Sequence, residues 1–426
     1  MQQKKASLFT IKTILVVILI LPCSSVFAQI VTQHLFNFKG FSLVLKDEAS
    51  DENDNHMFVG EIRAIETEAV NRDVKINKLF DLLGYCSDER MGIIITTDKN
   101  YKIEKIAKSF LGEKVLYDKS KKQFTIGANF FDYIKVKDKN FSAWQPVIIQ
   151  LDLKLNGNQY FVQKPYSCIL DNFVIENNEI ILFTRSSIRQ EDAFKTNGKA
   201  DVIRVTTSKF HTDTERPWIK VLEPISSNET AANIGRIQLS NVSKVDNAYY
   251  FTTSNLDQSS LKQVNHLYQF KNDTLKEILD FPEYLEFYTN YSDWININEF
   301  TTDSAKNYLF LSHEGATKKE MLFSKADADF NTLLSKKIPL NDYADFNKMQ
   351  LLSNGTIVIL MANNNQTWSY FLYDSNLTLI KEINSTISKE YNQNYLKETA
   401  NNQIECFFNI DNLSKKDCIF QIINLN

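Results

Sequence analysis

The chain has 426 residues, with 48 basic and 52 acidic side chains and a formal charge of -4. That balance carries no basic footprint for nucleic acid, so nucleic-acid binding is excluded as a reading. A hydrophobic content of 43%, with 30 Phe and 18 Tyr, is ample for a packed core and argues against disorder.

The first element is an export signal. Lys4, Lys5 and Lys12 precede an unbroken apolar run, Ile14 to Leu21, and Pro22 ends it. Val26 and Ala28 supply small residues at the two positions a signal peptidase reads, so residues 1–28 are expected to be a cleaved signal peptide. The apolar run is far shorter than the roughly 20 residues that span a bilayer. The alternatives are a retained anchor or lipid attachment at Cys23, where Pro22 occupies the place of the small residue that chemistry prefers. Removing three lysines and no acid takes the charge from -4 to -7. The expected location is periplasmic, cell-surface or secreted, with no integral membrane segment after cleavage.

Beyond residue 28 the pattern is strand after strand. Short apolar runs such as Phe41–Leu45, Gly92–Thr96, Ile148–Leu155, Ile180–Thr184, Ala248–Thr252, Tyr308–Ser312, Thr356–Met361 and Cys406–Ile410 are bounded by Asn, Asp, Lys and Ser. Helical periodicity is scarce, and the best stretch, Ile62 to Leu83, fits neither period cleanly. Gly is rare at 11, while Asn makes up roughly a tenth of the chain. Asn tolerates the left-handed conformation, so it is expected to do much of the turn work of Gly.

The segments 148–162, 267–278, 321–338 and 370–383 share one plan: an apolar strand, a polar turn, and a second strand. The last three are each preceded by a further strand. Equivalent strands recur about 48 to 68 residues apart, a spacing compatible with propeller blades carrying insertions. This hairpin resembles the outer hairpin of a β-propeller blade, as in the degenerate propellers of secreted bacterial proteins. The resemblance covers residues 145–426 well and 35–145 poorly, without any named repeat motif. It implies an all-β, β-propeller-like domain over 29–426 with six to eight blades. Tandem β-sandwiches are the alternative. Ring closure would pair Ile30–Phe38 with Cys418–Leu425, removing exposed edges.

Four cysteines follow the signal: Cys86, Cys168, Cys406 and Cys418. An oxidising compartment permits disulfides, and Cys406 and Cys418 flank a turn-like stretch, so a 406–418 bridge is one expectation and buried thiols the other. The five histidines, His34, His56, His211, His266 and His313, show no metal-ligand spacing. Asp51, Asn53 and Asn55 begin like a calcium loop, but His56 stands where Gly is required, and Asp327, Asp329 and Asn331 read as a hairpin turn. No nucleophile elbow and no phosphate-binding Gly loop occur, so no metal, cofactor or catalytic residue is assigned.

The binding candidates are aromatic. Tyr284, Tyr288, Tyr291 and Trp294 crowd one run, and Trp218 ends the charged segment 211–218. Such rings stack on glycans or peptides, or pack between blades. The functional expectation is an exported, non-catalytic propeller that binds a glycan or protein. The alternatives are a propeller hydrolase or lyase with an axial active site, and an outer-membrane-associated assembly component.

Overall fold

A computed structural model describes residues 31–65, 72–81, 90–136, 139–162, 167–189, 196–206, 211–212, 220–222, 226–231, 237–239, 242–256, 263–280, 297–313, 320–339, 348–362, 366–388, 390–399, 403–409 and 418–425. Their strands form seven antiparallel-based sheets taken up in chain order. Blade 1 is Phe41–Ser50, His56–Ala64, Arg90–Thr97 and Ile103–Ser109, a simple meander. The first strands of the next two blades are Leu111–Asp118 and Ser167–Glu176. Blade 4 begins with two short pieces, Ile237–Leu239 and Ser243–Val245, on one partner strand. Blades 5, 6 and 7 begin with Ile297–Thr302, Lys348–Leu351 and Asn392–Thr399. First strands of neighbouring blades lie against one another, blade 7 against blade 1 included, and at the blade 3–4 seam Ile237–Leu239 lies against the second and third strands of blade 3, so the sheets close a ring.

This is a seven-bladed propeller, and it replaces the tandem-sandwich alternative. Seven apolar clusters fill the seven seams between consecutive sheets. Both faces of each blade are therefore buried, which explains the apolar runs that lack polar alternation. In blade 1, Ile93 and Ile95 pack toward blade 7, and Ile94 between them packs toward blade 2. In blade 7, Ile404, Cys406 and Phe408 face blade 6 while Phe407 faces blade 1. Each such side chain contributes about 1.5–3 kcal/mol through burial.

The repeated segments of the sequence are the outer hairpins of blades 2, 4, 5 and 6. Hairpin turns in several blades share a five-residue design. Asp51, Asp303 and Asp327 each accept the backbone N–H groups two and four residues on, and the Asn side chain at the fifth position returns to the same carboxylate. The fourth residue is left-handed: Asp54, Lys306 and Phe330. Asn itself takes the left-handed position in the two-residue turns Asn177–Asn178 and Asn272–Asp273. The calcium-like loop at 51–55 is thus this same hairpin turn.

Ring closure follows the expected pairing. Val31–Phe36 lies antiparallel to Cys418–Asn424, from Val31 opposite Ile423 to Phe36 opposite Cys418, and forms the outer strand of blade 7. The ambiguous stretch 62–83 contains a helix, Val74–Asp81, whose start is capped by Asp73 Oδ1 accepting the N–H groups of Lys75 and Ile76. Ile76 anchors it to the seam between blades 7 and 1.

Candidate functional site: charged bulges on the innermost strands

Five of the first strands carry a β-bulge, and the skipped residue is polar each time: Lys46, Glu113, Asp171, Asn298 and Asn394. A bulge leaves its extra residue out of the ladder and re-aims it. In blades 1, 2 and 3 the bulged residues are charged and close enough to feel one another. Burial pushes the Glu113 carboxyl up, Lys46 pulls it down, and Glu61 pushes it up again. Burial likewise pushes Asp171 up to about 7, against the pull of Arg185 and with a further push from Glu113. Arg185 Nε donates to Asp171 Oδ1 at 3.0 Å, and the side chains keep 37% and 16% of their exposure, with the Asp171 Oδ2 atom itself buried.

The bulges are held by side chains of the preceding blade. Asn129 of blade 2 donates from Nδ2 to Leu170 O at 2.9 Å and accepts from Leu170 N–H at 2.8 Å, just before Asp171. Asn409 of blade 7 does the same to Leu45, just before Lys46, with both contacts at 3.2 Å. Asp47 Oδ2 accepts the Val115 N–H of blade 2 at 2.8 Å, and Lys114 Nζ donates to Asn172 Oδ1 of blade 3 at 2.6 Å. Burial pushes Asp47 up and pulls Lys114 down. Each bulged charge therefore sits on a strand pinned from the side.

A second polar group lies at the closing seam. His56 Nδ1 is 2.7 Å from Glu48 Oε1, and Lys397 Nζ is 3.6 Å from Glu48 Oε2 while donating to Glu48 O at 3.0 Å. Burial pushes Glu48 up, but His56 and Lys397 outweigh it and hold the carboxyl below its ordinary value. Glu405, 5% exposed beside it, is pushed well up by burial and by the Glu48 charge. These groups put charged side chains on the innermost strands and a buried cluster of Glu48, His56, Lys397 and Glu405 at the closing seam. Among the described residues no group of three or more His, Cys, Asp or Glu is arranged to hold a metal ion.

The residues singled out in the sequence fare differently. Tyr284, Tyr288, Tyr291 and Trp294 lie outside the described residues, in the connection from blade 4 to blade 5. Trp218 is outside them too, but its flanks are placed: His211–Thr212 and Lys220–Leu222 add to the outer edge of blade 2. The 406–418 disulfide is corrected: no disulfide joins these cysteines. Cys406 stands opposite Gln421 and Cys418 opposite Asn409, three positions apart in register. An odd offset puts the sulfurs on opposite faces, Cys406 toward blade 6 and Cys418 toward blade 1. Sequence inspection missed the charged bulges. Their signal was present as a polar pair interrupting an apolar strand, in Leu45-Lys46-Asp47, Gly112-Glu113-Lys114 and Leu170-Asp171-Asn172.

No family model matches the chain, and no curated protein matches it. Solved structures similar to it include a protein of unknown function from Dyadobacter fermentans, 8% identical over 93% of this chain and 99% of that one, with a TM-score of 0.47. The β-propeller domain of the trilobed protease from Pyrococcus furiosus is 8% identical over 89% and 93%, with a TM-score of 0.46. A catalytically inactive virginiamycin B lyase from Staphylococcus aureus with quinupristin is 10% identical over 93% and 100%, with a TM-score of 0.45. Such scores and identities transfer no activity to this chain.

Proposed function

We propose that this chain is an exported binding propeller that holds a protein segment or a glycan at its axis, through the charged bulges of blades 1 to 3, without transforming it. The observation that carries the reading is the convergence of Lys46, Glu113 and Asp171. Three separate strands present them at one structural position, and their charges act on one another and on Arg185. Mixed charge on a rigid frame suits a polar ligand carrying both signs, or a sugar bonded by carboxylate and guanidinium together. Export rests on the features of residues 1–28.

One observation favours a second reading, the hydrolase or lyase. A carboxyl at about 7, as Asp171 has, is well placed for general acid–base work at neutral pH. One screen separates the two. Residues 29–426 are tested by thermal shift against peptide and oligosaccharide libraries, and each hit is analysed by mass spectrometry after incubation. Binding predicts shifts lost in Asp171→Asn and Arg185→Gln, with the ligand recovered intact. A ligand recovered cleaved or with an elimination product would favour the enzyme. Hits undiminished in both variants would sink the axial site.

A further inference from the structure

The strand that closes the ring is held to blade 1 by a histidine. On Val31–Phe36, Gln33 and Leu35 face outward, Leu35 with 58% exposure, while His34 and Phe36 face the seam. Phe36 packs against Phe58 with ring centroids 5.2 Å apart. His34 lies 4.2 Å from the Tyr101 ring, on which His56 is also stacked at 4.3 Å. His34 Nε2 is buried with no hydrogen-bond partner.

That geometry suits a neutral ring and penalises a charged one. The ionisable groups around His34 are Tyr101 and His56 in the stack, then Glu48, Glu405 and Lys397 behind His56, with Asp54 beside Tyr101. From its own pairing strand, Phe420 brings no charge. The nearest of these acids, Glu48, is engaged by His56 and Lys397, and burial disfavours the charged form of Glu405. A proton added at Nε2 would find no acceptor there.

We propose that ring closure is acid-sensitive, with protonation of His34 releasing the strand 31–36 from blade 7 while the remaining blades stay paired. The strand is six residues long and has one ladder partner, so it can open without breaking any other ladder. The sign is fixed by the seam. Burial, reinforced by His56, holds the ring below its ordinary value in the closed state. The open strand therefore binds protons more readily, and closure weakens as pH falls through the unfolded histidine range.

The test is hydrogen exchange on residues 29–426 at about pH 7.5 and about pH 5, corrected for intrinsic rates. Protection over 31–36 should fall at the lower pH, by up to roughly tenfold for each unit that separates the open and closed values. Protection over 57–62 should not change. His34→Phe keeps an aromatic face on Tyr101 and cannot titrate, so its strand should be equally protected at both pH values; His34→Gln serves the same purpose if the Phe variant fails to fold. Equal protection of the native strand at both pH values would overturn the proposal. So would a fall that persists in the variants, or one that spreads equally over 57–62.

Discussion

Replacing Asn129 by Ala should be among the more damaging polar substitutions in this fold. The side chain is 4% exposed and makes two bonds to one backbone unit, at 2.9 Å to Leu170 O and 2.8 Å from Leu170 N–H. Neither group finds water after truncation, and each buried unsatisfied backbone group costs roughly 1–3 kcal/mol. The expected loss is about 2–6 kcal/mol, a large share of the 5–15 kcal/mol typical of a domain. Asn129→Asp should sit between wild type and Ala. It still accepts from Leu170 N–H but cannot donate to Leu170 O, and it adds a charge beside Glu113. Urea unfolding followed by tryptophan fluorescence measures both, with an unchanged m-value as the sign that the denatured state is unaffected. A loss below about 0.5 kcal/mol, the level of ordinary surface changes, would show that the clamp is dispensable and that the bulge is held by its strand alone.

Asn409→Ala removes the equivalent pair of bonds at 3.2 Å each, and its longer contacts predict a smaller loss in the same assay. Reducing agent should leave the melting temperature unchanged, since no disulfide joins Cys406 and Cys418, and thiol titration after denaturation should find both reactive. Deleting residues 29–38 removes Phe36 and Phe38 from the closing seam and bares the edge of 418–424, so the truncated chain should lose several kcal/mol and self-associate on size-exclusion chromatography. Asp171 binds its proton more tightly folded than unfolded, so its contribution to stability falls as pH rises from the ordinary carboxylate range to about 7. Subtracting the pH–stability curve of Asp171→Asn from that of the wild type should show that slope, and a flat difference would contradict it.

The repeat architecture was legible because it is written locally. An Asp-to-Asn turn between two apolar strands announces a hairpin at 321–338, and the Lys-Glu-Ile ends at 276–278 and 381–383 mark equivalent strands. The chain ends could be matched by their apolar strands alone. The charged bulges were not legible as a site because convergence of Lys46, Glu113 and Asp171 depends on three strands far apart in sequence. The Asn409–Leu45 clamp spans 364 residues. The disulfide expectation failed on register: a hairpin brings two cysteines onto neighbouring strands, and only the count of residues in its loop decides whether they share a face. At Val74–Asp81 the N-cap Asp73 was readable, but one buried contact at Ile76 gave too little periodicity to reveal the helix.

Closure by the first strand has a consequence for biogenesis. Residues 31–36 are synthesised well before their partner, 418–424, with six other blades laid down between them. Throughout that interval an apolar ribbon ending in Phe36 and Phe38 waits without a neighbour, and the seam it completes stays open. Folding rate should therefore be governed by joining these two strands, a contact between segments far apart in sequence. A circular permutant that links residue 425 to residue 31 and opens an exposed turn elsewhere would turn that slowest step into a local hairpin.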